Sequence, residues 1–203
     1  MRYLDCFRFL ASRRSDQYVI TSAGNSGQAW WEATRDSETT FYLDASMSLA
    51  TMFASGLAAA QPQAKFWAFM GDGAFCMNPG MLMVERQMNL PNLTHLLISN
   101  GTYGATSNAE LPNESTGSYA EIARGMGLER IFEFRSLDEL EQGFDAAVCM
   151  DAPGHTFVVL HVEPFSAEEQ KLQQPPFDAP ELKYRFGRAL EQRTGADVFG
   201  YRI

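Results

Sequence analysis

Three stretches of this chain are apolar along nearly their whole length rather than at every second position: KFWAFM (65–70), LTHLLIS (93–99) and TFVVLHVEP (156–164). A strand with one wet face alternates. A continuous apolar run of this length fits a strand covered on both faces, as in a parallel sheet. The intervening segments read differently. YLDCFRFLAS (3–12) is apolar at helical spacing and stops at RRSDQ. YVITSAGNSG (18–27) reads as a short buried strand ending in a glycine loop. FYLDASMSLATMFASGLAAA (41–60) opens as a strand and continues as a closely packing Ala/Ser/Gly helix. A helix is expected over 79–89, broken by LPN. SYAEIARGMG (118–127) reads as a helix, IFEFRS (131–136) as a strand, and LDELEQGFDAAVCM (137–150) as a helix stopped by APGH. Strands alternating with helices predict an α/β fold: a doubly wound, mostly parallel sheet with helices on both faces.

The length, 203 residues, allows one substantial domain with a proper core. Composition changes after Pro164, where SAEEQKLQQPPFDAPELKYR is polar and proline-rich. Residues 1–164 are therefore expected to form the domain. Residues 165–203 would add an extended arm and a short helix, or else a solvated tail. A net charge of −9 argues against nucleic acid as a partner. No apolar run approaches the ~18 residues of a membrane span. The N-terminus lacks a signal-peptide core and cleavage site. Cys6, Cys76 and Cys149 form no CxxC pair and read as buried or semi-buried thiols, so a cytoplasmic location is expected.

In a doubly wound sheet, ligands collect at the carboxyl ends of the strands. KFWAFM ends at Gly71-Asp72-Gly73, and LTHLLIS ends at Asn100-Gly101-Thr102. A right-handed strand–helix–strand unit places those two ends side by side. Asp72 and Asn100 can either cap helices or share a ligand. A carboxylate and an amide oxygen suit a hard cation that keeps phosphate oxygens among its ligands. The flanking glycines let backbone N–H groups approach phosphate, and a helix N-terminus near 79 would favour the same anion.

Gly-Asp-Gly (71–73) followed by Asn100 after residues 74–99 resembles the metal–diphosphate motif of thiamine diphosphate (ThDP) enzymes. The resemblance implies ThDP and Mg²⁺ as cofactors. Asp72, Asn100 and the backbone carbonyl of Thr102 would be the metal ligands. Where the family often has Asn-Asn, this chain has Ser99-Asn100. The segment Ala45-Ser46-Met47-Ser48 resembles the family's Gly-Ser-Met-Gly, which makes Met47 the apolar wedge beneath the cofactor, with Ala45 and Ser48 in place of glycines. The loop Ser22 to Gly27 matches one that approaches the diphosphate, bringing in Gly24 and Asn25 and offering Ser26 and Gly27. The implied cofactor-binding set is Gly24, Asn25, Ser46, Met47, Gly71, Asp72, Gly73, Ala74, Asn100, Thr102, Tyr103 and Gly104. Thr106 stands where some relatives carry an acidic catalytic side chain. Thr106 is thus the candidate catalytic residue, with Ser107 and Asn108 beside it. His95 and His161 are expected as core or edge residues and His155 in a turn, none with a partner spaced for metal or nucleophile. Trp30 and Trp31 are expected in the core.

ThDP chemistry also requires a pyrimidine-binding domain with a glutamate, and a domain of roughly 150 residues does not fit into 165–203. The chain is therefore expected to be half of an enzyme. Its motifs, with FVVLHVEP, are most similar to the diphosphate-binding (beta) subunit of sulfopyruvate decarboxylase and the C-terminal domain of phosphonopyruvate decarboxylase. The resemblance implies a lyase that removes CO₂ from a 2-oxo acid. It would work with a pyrimidine-binding, alpha-like subunit in an α₂β₂ assembly. The alternatives are a subunit of a ThDP-dependent carboligase or lyase, of a 2-oxo acid oxidoreductase, or a non-catalytic scaffolding subunit.

Overall fold

The computed structural model describes residues 1–43, 45–114, 116–148 and 154–200. Cys149, and the end of the helix read over 137–150 with the first half of its stop signal, lie outside the described residues. Among those described, six strands form one all-parallel sheet: β1 (Tyr18–Ser22), β2 (Thr40–Leu43), β3 (Phe66–Gly71), β4 (Leu93–Ser99), β5 (Arg130–Phe134) and β6 (Thr156–His161). Their order is β2-β1-β3-β4-β6-β5. The fully covered strands are the ones with continuous apolar sequence. β1 and β4 are buried at every position, and β3 and β6 at every position but the last.

Side chains alternate between two cores. From β3, Trp67 and Phe69 face one core, while Phe66, Ala68 and Met70 face the other. The first core is closed by α1 (Tyr3–Arg13), α2 (Asn25–Thr34) and α7 (Leu137–Ala147). The second is closed by α3 (Ala50–Ala60), α4 (Asp72–Met77), α5 (Met81–Met88) and α6 (Tyr119–Gly125). Trp30 is wholly buried, and its indole N–H donates to the Thr40 hydroxyl at 2.9 Å. Ser118 and Ser136 cap α6 and α7 by accepting from the backbone N–H three residues on, a local signal present in the sequence.

The segment after Pro164 returns to the body. Phe165 packs edge-on against Tyr3, and Glu169 accepts from the Leu4 backbone N–H at 3.2 Å. Then α8 (Ala179–Thr194), capped by Asp178 and stopped by Gly195, covers the β2 edge of the sheet. Leu182, Phe186 and Leu190 of α8 are buried, and Phe186 lies edge-on to both Tyr18 and Phe41.

Two local readings change. SAGNSG is not a loop throughout, because α2 begins at Asn25. GDG is itself the start of a short helix, α4, and the following helix begins only at Met81. Asn78-Pro79-Gly80 separates the two. Proline has no backbone N–H to donate and disfavours helical backbone in the residue before it. The cysteine reading holds for buried Cys6, whereas Cys76 is exposed beside the Tyr119 hydroxyl.

Candidate active site

The chain runs from β1 out to β2, then crosses back to β3 on the other side of β1. The loops leaving β1 and β3 therefore part from one another, and a crevice opens at their carboxyl ends. A cavity occupies this crevice. Its walls are Ala23–Ser26 after β1, Met47 after β2, Gly71–Ala74 after β3, and Ile98, Asn100 and Thr102–Thr106 at the end of β4. Tyr3 of α1 completes the wall. The N-termini of α2 and α4 both start at this cavity, so their free N–H groups make it a favourable place for an anion. The helix N-terminus expected near 79 is not part of it, because α4 intervenes.

Asp72 and Asn100 do come together. The Asp72 carboxylate is 1% exposed. Its Oδ2 accepts from the backbone N–H of Asn100 at 2.8 Å and of Gly101 at 2.7 Å, and its Oδ1 from that of Gly73 at 2.9 Å. Burial pushes the Asp72 carboxyl up to about 6, against these backbone donors, which pull it down. The Asn100 side-chain oxygen accepts from the Thr102 backbone N–H at 3.0 Å and more weakly from its hydroxyl, folding the loop back over the β3 end. The Thr102 hydroxyl also reaches Asn108, and Tyr103 accepts from both Thr106 and Asn108 through its carbonyl.

These residues fit a cation carrying a diphosphate on three observations. The Asn25 side-chain N–H₂ is buried beside the cavity without a partner. Asp72 Oδ1, with one donor recorded, has room for another. At Gly104 a Cβ would lie 2.8 Å from Asn25 Nδ2 and 3.0 Å from Asn100 Nδ2, so only glycine leaves those two amides room. The groups that could hold a metal are Asp72, Asn100 and the Thr102 carbonyl. Gly24, Asn25 and Ala74 could hold an anion, whereas the Gly73 N–H is taken by Asp72 Oδ1. Among the described residues, none lining the cavity is Lys or Arg.

Of the sequence-derived set, Ser46 is the exception. It does not line the cavity, and its carbonyl instead accepts from the Ala23 backbone N–H at 3.2 Å. Gly27 likewise turns toward Thr21 rather than the cavity. Tyr3 was not legible. It sits in a different helix from the motif residues and reaches the site only because α1 packs across α2, where its hydroxyl meets that of Ser26 at 3.1 Å. His95 lies in the core on β4 and His161 ends β6, as expected, but the histidines have partners that spacing did not show: His95 and His155 both contact Glu85, and His161 contacts Glu133. These partners lie 10, 70 and 28 residues away along the chain, beyond the reach of spacing rules.

Residues 22–162 match the family model described as thiamine pyrophosphate enzyme, C-terminal TPP binding domain. The chain is 32% identical over 158 residues to the sulfopyruvate decarboxylase subunit beta of Methanocaldococcus jannaschii, covering 78% of this chain and 80% of that one. It is 30% identical over 179 residues to the protein of the same name from Methanothermobacter thermautotrophicus, covering 88% and 90%. Its fold is similar, with a TM-score of 0.67 at 21% identity, to a putative thiamin diphosphate-dependent enzyme from Mycobacterium smegmatis. That match covers 81% of this chain but only 32% of the larger structure.

Proposed function

This chain belongs to the thiamine pyrophosphate enzymes, whose C-terminal TPP-binding domain it carries, and from that premise we propose that it is the diphosphate- and Mg²⁺-binding subunit of a heteromeric ThDP-dependent 2-oxo acid decarboxylase. One observation carries the reading. The buried Asp72 carboxylate binds the backbone of the Asn100–Gly101 turn, within a cavity that also holds the unpartnered Asn25 amide. In this reading Asp72, Asn100 and the Thr102 carbonyl hold Mg²⁺. The amides of Gly24, Asn25 and Ala74 orient the diphosphate at the two helix N-termini, while the Gly73 amide holds the Asp72 carboxylate. When bound, ThDP supplies a nucleophilic carbon and an electron sink for loss of CO₂. Met47 supports it from below, Tyr103 and Gly104 close the loop side, and Thr106 stands at the mouth.

Residues 1–164 form the cofactor-binding domain in this reading, with 165–203 an arm closing its edge. The glutamate that activates the cofactor comes from a pyrimidine-binding, alpha-like subunit in an α₂β₂ assembly. Relatives named as beta subunits support such a partner. The substrate is a small 2-oxo acid, with sulfopyruvate the first to test. Since no Lys or Arg among the described residues lines the cavity, an acidic substituent on that substrate would be met by the partner. The complex works in the cytoplasm.

The test uses the chain co-purified with its pyrimidine-binding partner. Asp72→Ala should weaken metal-dependent ThDP binding more than ~100-fold, since even groups behind metal ligands are worth 10–100-fold. CO₂ release should fall with it. Unchanged CO₂ release would instead mark the chain as a scaffold.

A further inference from the structure

Far from the cavity, Glu85 of α5, His95 of β4 and His155, just before β6, meet in the second core. Their side chains are 0–1% exposed. Glu85 Oε2 lies 3.2 Å from His95 Nδ1 and 2.8 Å from His155 Nε2. His95 sits four residues before Ser99 at the carboxyl end of β4, and His155 precedes the amino end of β6. The cluster thus lies toward the opposite edge of the sheet from Asp72. Nothing in the reading of the cavity uses it.

Hydrogen bonding alone leaves this cluster incomplete. Glu85 Oε1, His95 Nε2 and His155 Nδ1 are all buried with no partner. With both imidazoles neutral, the carboxylate is an uncompensated charge in the core, which is strongly unfavourable. With one imidazole protonated the charge balances, but its second N–H then lacks an acceptor while Oε1 still lacks a donor. A divalent cation gives Oε1 a partner and sets positive charge directly against the carboxylate; with both imidazoles neutral the set then carries +1. The cation would take Nδ1 of His95, Nε2 of His155 and both carboxylate oxygens, four donor atoms in all.

The geometry is close to what such an ion needs. The three ligand atoms lie within 4.8 Å of one another. Bonds of ~2.0–2.2 Å at near-tetrahedral angles put the two imidazole nitrogens roughly 3.3–3.6 Å apart, so shifts on the order of an ångström bring them into place, with the carboxylate closing the site at a narrower angle. Two imidazoles and one carboxylate suit zinc far better than Mg²⁺ or Ca²⁺, which take oxygen ligands. We propose that Glu85, His95 and His155 form a buried structural site for a zinc-class divalent cation, separate from the Asp72 site, that pins α5 to β4 and β6.

The experiment uses the full chain, purified through a tag that binds no metal and without chelator, with metals measured by inductively coupled plasma mass spectrometry. About one equivalent of zinc is expected in wild type and in Asp72→Ala, and little in Glu85→Gln or His155→Gln. Wild type refolded with Co²⁺ in place of zinc should show visible d–d bands of a low-symmetry four-coordinate site. Below ~0.1 equivalent of any transition metal in wild type, with no such bands after Co²⁺ refolding, would overturn the proposal without relying on any variant. Zinc lost in Asp72→Ala but kept in Glu85→Gln would overturn it as well.

Discussion

Removing the Asn25 amide should move stability and affinity in opposite directions. In the cofactor-free protein, Asn25 Nδ2 is buried without a hydrogen-bond partner. A buried polar group left unpaired costs ~1–3 kcal/mol. Asn25→Ala removes that group, and alanine is the better helix former at this first residue of α2. The cofactor-free variant should therefore be about 1 kcal/mol more stable than wild type, read as a higher urea midpoint at unchanged slope. Cofactor binding should respond the other way. A hydrogen bond to a charged group is worth ~1.5–3 kcal/mol, so loss of the amide's bond to a diphosphate weakens binding by roughly 10- to 150-fold. Isothermal titration of ThDP with Mg²⁺ into the co-purified complex measures this. Asn25→Asp serves as the control, because it keeps the shape and puts a negative charge against the anion. Its affinity should fall below that of the alanine variant. If Asn25→Ala were destabilised by more than ~1 kcal/mol and bound ThDP within twofold of wild type, the amide would be a structural group, and its aim at an anion would be refuted.

Other consequences follow from named contacts. Burial alone would raise the Asp36 carboxyl, but hydrogen bonds from Thr39 and the Arg14 guanidinium at 2.7 Å outweigh it and hold it down to about 2. Against an ordinary value of 3.8, that shift contributes about 2 kcal/mol above roughly pH 5, lost as pH falls through about 2. Acid titration of the urea midpoint should show this loss in wild type, and Asp36→Asn should be less stable at pH 7 and flatter between pH 5 and 2. Phe186, 4% exposed, anchors α8 on Tyr18 and Phe41. Phe186→Ala should cost ~3–5 kcal/mol by urea unfolding, and a loss below ~0.5 kcal/mol would show that α8 is dispensable to the fold.

What could be read from the sequence was what depends on one segment at a time. Apolar character along most of KFWAFM, LTHLLIS and TFVVLH, without strict alternation, reports burial on both faces, as a sheet covered by helices provides. Asp72 and Asn100 were also legible as a pair. Each directly follows the end of a strand, and one right-handed crossover fixes where the next strand lies. Ser46 stands apart from the cavity lining, since motif likeness gives a position in the chain and not the direction of a side chain. Here the backbone of Ser46 is engaged by Ala23 instead.

Tertiary structure decided the rest, for a common reason: the partners come from segments whose separation follows no period. Tyr3 reaches the cavity through helix packing, 23 residues from its hydrogen-bond partner Ser26. Glu85, His95 and His155 are unremarkable within their own elements and become a cluster only when the sheet stacks β4 beside β6 beneath α5. Local sequence thus determined the layered α/β fold and which strand ends carry polar residues. The closing of the sheet decided which buried polar groups were left facing one another, because burial removes water as the partner each would otherwise have had.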